Sequence, residues 1–182
     1  GRPLTPGTVR VADDAEIQVQ GPMLFLGYLE QDAAFRKPLT PDGWFPTGDL
    51  GHFDGADNLV VTGRKDNMFV SGGENIQPEE IEAALCALEE VARAVVVPVA
   101  DAEFGYRPVA FIEPLQDRGI DAEGLSRQLE TRLPRFKLPV AYRSWPGNAP
   151  LMGIKPDRQL FQKLAAETAG GETGTSETQP NS

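Results

Sequence analysis

Cysteine and histidine are almost missing from this chain of 182 residues, which holds one of each, Cys86 and His52. A single cysteine excludes an intramolecular disulfide. Without a Cys/His cluster there is no zinc-ligand set, so no residue is assigned to a metal. A Ser-His-Asp triad would have to be assembled around His52 alone. Cys86 lies in the helix-like run AALCALEEV and reads as a small buried hydrophobe rather than a nucleophile. No apolar run approaches the roughly 20 residues that cross a bilayer. Basic blocks are absent too: 17 Lys and Arg are scattered among 27 Asp and Glu, for a net charge of −10. Phosphate contacts need clustered cations, so this balance argues against a nucleic-acid partner. A charged-then-apolar leader is also lacking, and a reducing, cytoplasmic compartment fits the cysteine usage. The opening GRPLTPG reads like the middle of a protein, and the expectation is a segment of a larger enzyme.

What is present falls into two textures. Residues 8–11, 16–20 and 58–62 read as strands, Asp13-Asp14 and Asp42-Gly43 as turns, and residues 23–29 as a strand or a short apolar loop. After Gly63 the periodicity becomes helical. Pro78 suits a first helical turn, with Glu79 and Glu80 at the positive end of the helix dipole. Ile81, Leu85 and Leu88 follow at helical spacing. Residues 94–99 and 108–113 read as strands, with Pro108 at a strand start where its missing donor is tolerated. Asp121 caps a helix bearing Leu125, Leu129 and Leu133 that Pro134 stops. A strand over 140–144 and a helix opened by Pro156 complete an α-β-β-α-β-α order. The fold class is α+β: a small β subdomain cut at its start, then a compact domain with helices packed on a small sheet. From about Thr168 the composition cannot bury enough apolar surface to order itself, and a disordered tail is expected over 168–182.

Three features carry chemistry. In WFPTGDL, Asp49 follows a glycine at an expected turn; an exposed carboxylate on a tight backbone suits vicinal hydroxyls such as those of ribose. An isolated Thr-Gly-Asp is more often a plain turn. In GRKDNMFVSGGENIQPEEIE (63–82), Arg64 offers a planar fork of donors for phosphate or sugar oxygens. Ser71-Gly72-Gly73 allows close approach of backbone to a ligand, although most Gly-Gly turns are only turns. It is not a phosphate loop, which would end Gly-Lys-Ser/Thr. Lys155, in LMGIKP, is either a solvated surface charge or an ammonium that reaches developing negative charge.

In this order and spacing, these motifs resemble the acyl-CoA synthetase and adenylation-domain superfamily, with DAEFGYRPVA (101–110) and Phe136-Lys137-Leu138-Pro139 extending the match from Gly1 to about Ala165. The resemblance implies that residues 1–63 end the large AMP-binding domain, 64–66 form a hinge and 67–167 form a mobile C-terminal domain. It implies that Asp49 binds the ribose hydroxyls of ATP, that Arg64 contacts the nucleotide and that Asp66 is the pivot. Ser71, Gly72 and Gly73 would face the pantetheine arm of CoA, and Lys155 would orient carboxylate and phosphate oxygens during adenylation. Two departures stand out. Ile154 separates Gly153 from Lys155 where the family has them adjacent, leaving Lys137 as the alternative lysine, and Phe136 replaces the commoner tyrosine.

The activity implied is AMP-forming ligation of a carboxylic acid to CoA. The co-substrates are ATP and CoA, with Mg2+ held mainly outside this chain. The phosphate-binding loop and the acyl pocket are not in these residues, so the missing large N-terminal domain is an expected partner and the lone chain is expected to be inactive. A homo-oligomer is left open. SGGENIQPEEIE, EFGYRPVA and Gly-Ile-Lys look most like the o-succinylbenzoate-activating branch that serves menaquinone biosynthesis. Other acyl- or aryl-CoA synthetases and carrier-loading adenylation domains share the motifs. A reading from another class is a non-catalytic binding module.

Overall fold

Alternating apolar and polar residues make the first part of the chain a set of strands. The computed structural model describes residues 1–4, 8–29, 35–116, 119–147 and 156–169. It divides into unit 1, Gly1–Met68, and unit 2, Phe69–Ser182. Unit 1 contains β1 (Val9–Val11), β2 (Glu16–Val19), β3 (Tyr28–Leu29), β4 (Phe35–Arg36), β5 (Phe45–Phe53) and β6 (Leu59–Arg64), then a 3-10 turn over Lys65–Asn67. Four of the strands form an antiparallel sheet in the order β1-β2-β5-β6, and β3 pairs with β4. The β5–β6 turn is built by Asp54, whose Oδ1 accepts from the backbone N–H of Ala56 and Asn58. Of residues 23–29, only the last two are strand. Ile17 and Leu50 are the buried hydrophobic side chains of unit 1 among the described residues, whereas Met23, Leu26 and Leu29 are exposed.

Unit 2 opens with a hairpin that the periodicity did not reveal, β7 (Phe69–Ser71) and β8 (Glu74–Ile76). The elements that follow are α1 (Pro78–Cys86), β9 (Val91–Asp101), β10 (Gly105–Pro114), α2 (Ala122–Glu130), β11 (Ala141–Ser144) and α3 (Arg158–Ala169). Their order is the expected one. β10 is the central strand, antiparallel to β9 and parallel to β11. Strand alternation sends side chains to opposite faces. Val96, Ala110 and Ile112 pack with Ile81 and Leu85 of α1, Leu125 and Leu129 of α2, and Phe69 and Ile76 of the hairpin. Val95, Val97, Val109 and Phe111 pack with Phe161 and Ala165 of α3. Each large side chain fully buried in this way contributes about 1.5–3 kcal/mol. Phe161 meets Phe111 and Trp145 edge-on, at centroid distances of 5.0 and 4.9 Å, the geometry that ring quadrupoles favour.

Several local expectations are corrected. Pro108 lies inside β10 rather than at its start, opposite Pro98 of β9. The two missing donors therefore share one rung, and the pairing of β10 with β11 begins only at Val109. α2 is capped by Asp121, which accepts from Gly124 N–H at 2.9 Å, but it ends at Glu130. Leu133 is buried from the turn beyond. Cys86 is exposed, not buried: Ile81 and Leu85 take the inward face of α1, and the next residue is rotated about 100° away from Leu85. Its thiol is nonetheless pushed above the ordinary value, first by partial burial. The last helix starts at Arg158, with the Asp157 carboxylate accepting from Gln159 N–H at 3.0 Å. It runs to Ala169, past the expected start of the tail, and residues 170–182 lie outside the described residues.

The joint between α3, α1 and β9 is polar. Arg158 Nη1 and Nη2 reach the two oxygens of Glu82 at 2.7 and 2.8 Å, and Nη1 also donates to the Val96 carbonyl at 2.9 Å. Glu82 in turn accepts from Val96 N–H at 2.7 Å. A forked guanidinium matched to a carboxylate fixes geometry as well as charge. No helix among the described residues is long and apolar enough to cross a membrane.

Candidate functional site

Asp49 sits inside β5, not at the turn expected for it. The ladder between β2 and β5 pairs Glu16 with Leu50 and Gln18 with Pro46, so Thr47, Gly48 and Asp49 bulge opposite the single residue Ile17. Bulges re-aim side chains, and this one is tied at each residue. Thr47 Oγ1 donates to the Ile17 carbonyl at 2.8 Å, Gly48 N–H donates to Glu16 Oε1 at 3.0 Å, and Asp49 N–H donates to Thr47 Oγ1 at 3.1 Å. Gly48 has φ +74, and a Cβ there would lie 3.0 Å from Arg64 Nη2. Both facts favour glycine at this position.

On the neighbouring strand, Arg64 is the register partner of Asp49. Its Nη1 donates to Asp49 Oδ1 at 2.9 Å and to the Thr47 carbonyl at 3.2 Å, and its Nη2 reaches Asp66 Oδ2 at 3.2 Å. The hydrogen bond that it donates to Asp49, ahead of the other causes, holds the Arg64 pKa above its already high ordinary value. Two residues fifteen apart in sequence thus form one exposed ion pair. The Arg64 cation is shared between Asp49 and Asp66, and the half-exposed Asp49 carboxylate still offers lone pairs to hydroxyl groups.

The second glycine feature is in unit 2. Ser71 pairs with Glu74 across a two-residue turn in which Gly72 and Gly73 have φ +57 and +87. Two consecutive positive φ values define a type I′ hairpin, which suits glycine at both positions. Ser71 is buried, and Gly72 N–H donates to the Phe104 carbonyl at 2.9 Å. A Cβ on residue 72 would lie 2.9 Å from Phe104 Cδ1. Phe104 belongs to the β9–β10 turn, which Asp101 organises by accepting from the N–H groups of Glu103 and Phe104. Those bonds, that of Phe104 first, lower the Asp101 carboxyl below its usual range. The Arg107 guanidinium lies 4.7 Å over the Phe104 ring. An uncluttered glycine backbone beside an exposed aromatic ring and a cation suits the passage of a narrow, partly apolar chain.

The structure therefore brings Asp49, Arg64 and Asp66 together in unit 1, and Ser71, Gly72 and Gly73 in unit 2. Lys155 lies outside the described residues. The alternative lysine, Lys137, follows Phe136 in a 3-10 turn and pairs with Glu80 of α1. Sequence reasoning missed Glu16, Thr47, Phe104 and Arg107 as contributors. Phe104 and Arg107 were visible only inside a motif, with nothing to say that their turn meets Gly72. Among the described residues no group of three His, Cys, Asp or Glu side chains stands ready to hold a metal.

Comparison with known proteins bears on the same chain. The model of the AMP-binding enzyme C-terminal domain matches residues 80–148, from the first turn of α1 to beyond β11. This region belongs to the AMP-binding enzyme family. The match of the chain to full proteins extends beyond this C-terminal domain. A 2-succinylbenzoate–CoA ligase of Listeria innocua is 42% identical over 139 residues, which are 76% of this chain and 29% of that protein. An indoleacetate–CoA ligase of Aromatoleum aromaticum is 42% identical over 142 residues, covering 76% of this chain and 26% of the relative. Among solved structures, o-succinylbenzoate CoA synthetase (MenE) of Bacillus subtilis, in complex with the acyl-adenylate intermediate OSB-AMP, superposes with a TM-score of 0.68 at 31% identity. That match covers 81% of this chain and 30% of the synthetase chain. This chain thus spans less than a third of each of these proteins.

Proposed function

We propose that the chain is the C-terminal portion of an AMP-forming acid–thiol ligase that joins a carboxylic acid, o-succinylbenzoate in our reading, to CoA. The observation that carries the proposal is the Asp49–Arg64 pair. It is an exposed carboxylate, ion-paired with Arg64 and held on a glycine bulge, in a chain whose relatives are named CoA ligases. In the first step a substrate carboxylate oxygen attacks the α-phosphorus of ATP and pyrophosphate leaves. In the second, the CoA sulfur attacks the acyl carbon, and AMP leaves with the oxygen that had joined the two.

Asp49 accepts the ribose hydroxyls and Arg64 contacts the nucleotide. Lys155 orients the carboxylate and phosphate oxygens in the first step. Ser71, Gly72 and Gly73 face the pantetheine arm in the second. One domain serves both steps by rotating, with the change in dihedrals absorbed near Asp66. The division of the chain at Met68/Phe69, close after Asp66, supports a pivot in this stretch. The large N-terminal domain supplies the phosphate-binding loop, the acyl pocket and the Mg2+ ligands, and the exposed Met23, Leu26 and Leu29 of unit 1 fit a sheet that is part of something larger. The compartment is the cytoplasm.

The choice of acid rests on several relatives of one name, and the two 42% identities, to ligases of different acids, show how little these residues discriminate. The test is pyrophosphate release by the full-length protein across a panel of acids. Release with o-succinylbenzoate well above indoleacetate, medium-chain and benzoic acids is the expected result. Release with another acid would replace the substrate and keep the reaction. No release with any acid would return the chain to a non-catalytic binding module.

A further inference from the structure

Among the described residues of unit 1, Glu16 is the one charged residue that is buried, with 8% of its surface exposed, and both of its oxygens are engaged. Oε1 accepts from Gly48 N–H at 3.0 Å, and Oε2 lies 3.3 Å from Lys65 Nζ. Gly48 directly precedes Asp49, and Lys65 directly follows Arg64. Asp49 and Arg64 are register partners on adjacent strands. One carboxylate on a third strand, β2, therefore grips both halves of the candidate nucleotide pair at the residues next to them. The Lys65 ammonium is further held by Asp14 Oδ2 at 2.7 Å, and Asp14 Oδ1 accepts from Glu16 N–H at 3.2 Å, so the grip is anchored in the turn ahead of β2.

We infer that Glu16 is a positioning residue for ribose recognition: it sets the Gly48 bulge and the Lys65 side of Arg64, so that the Asp49 carboxylate meets both ribose hydroxyls. A buried carboxylate is costly unless both oxygens are satisfied. A β-bulge alone needs no such group, since Thr47 Oγ1 already ties it to Ile17. The inference rests on the reading of Asp49 as the ribose acceptor, and its test separates the two.

In the full-length enzyme, kcat and KM for ATP and for 2′-deoxyATP are measured for wild type, Asp49→Ala, Glu16→Ala, Glu16→Gln and Glu16→Asp. Losing one hydrogen bond to a charged group costs on the order of tenfold, so wild type is expected to prefer ATP by about that factor and Asp49→Ala to show no preference. Glu16→Ala is expected to lose most of the preference through a rise in KM for ATP, with kcat and the KM for the acid little changed; general damage would move all three. Glu16→Gln keeps an oxygen for Gly48 N–H and recovers part of the preference. Glu16→Asp, which keeps the charge but falls short of Gly48, behaves like Glu16→Ala and serves in its place if the alanine variant does not fold. A full preference for ATP in Glu16→Ala or Glu16→Asp, with wild type and Asp49→Ala as expected, overturns the positioning role alone. A wild type indifferent to the 2′-hydroxyl, or an Asp49→Ala variant that keeps the preference, overturns the ribose reading and the inference with it.

Discussion

Lys155→Ala in the full-length enzyme is expected to cut the adenylation half-reaction by about 10²–10³-fold, the usual consequence of removing one well-aimed donor from a charged transition state. Attack on the α-phosphorus spreads negative charge over phosphoryl oxygens, and catalysis of such a step is largely positioning and charge stabilisation. An ammonium on a flexible stem can serve as a point charge there. The second half-reaction expels AMP from an acyl-adenylate already formed, and no role is assigned to Lys155 in it. Thioester formation from supplied acyl-adenylate should therefore stay within a few-fold of wild type. The measurement is single-turnover kinetics of each half-reaction. Equal loss in both would remove the assigned role, and no loss in either would make Lys155 a solvated surface charge. Lys137→Ala is the matched control for the shifted register around Ile154. Lys137 already pairs with Glu80 of α1, so its loss is expected to cost stability and to leave adenylation in place.

Gly72→Val should give the mirror image. The residue has φ +57, a conformation that costs an ordinary L-residue about 1–2 kcal/mol and is a marked outlier for a β-branched one. A Cβ would also lie 2.9 Å from Phe104 Cδ1, so either the ring or the hairpin must shift. Displacing a positioning element by about 1 Å can cost on the order of 10²-fold in rate. That loss is expected in thioester formation, while pyrophosphate release, in which the proposed mechanism gives this hairpin no part, is expected to continue. The same single-turnover assays read both steps, with thermal unfolding as the check on folding. A variant that folds and forms the thioester at the wild-type rate would remove the CoA-facing role of the turn.

The fold was legible wherever one physical signal dominated. The runs at 94–99 and 108–113 are strands because both of their faces are covered by helices, and Pro78 with Glu79 and Glu80 opens α1 as the helix dipole favours. The β7–β8 hairpin was hidden because its strands are only three residues long, too short for alternation to show. β5 was hidden for a related reason. The Thr-Gly-Asp that breaks its periodicity is a bulge, and a bulge and a turn look alike in one dimension. The individual residues of the candidate site came from motif resemblance; their pairings came only from register. Nothing in the spacing of Asp49 and Arg64 says that they face each other, or that Glu16 holds the residues beside both. Cys86 misled because an apolar neighbourhood in sequence does not specify which side of the helix a residue occupies.

The central claim is that the acid is activated as an acyl-adenylate, and oxygen tracing tests it most directly. The full-length enzyme is given o-succinylbenzoate labelled with 18O in both carboxylate groups, together with ATP and CoA, and the nucleotide product is analysed by mass spectrometry. The account expects AMP carrying one labelled oxygen for each thioester formed. Thioester formation with unlabelled AMP, or with ADP as the product, would contradict it.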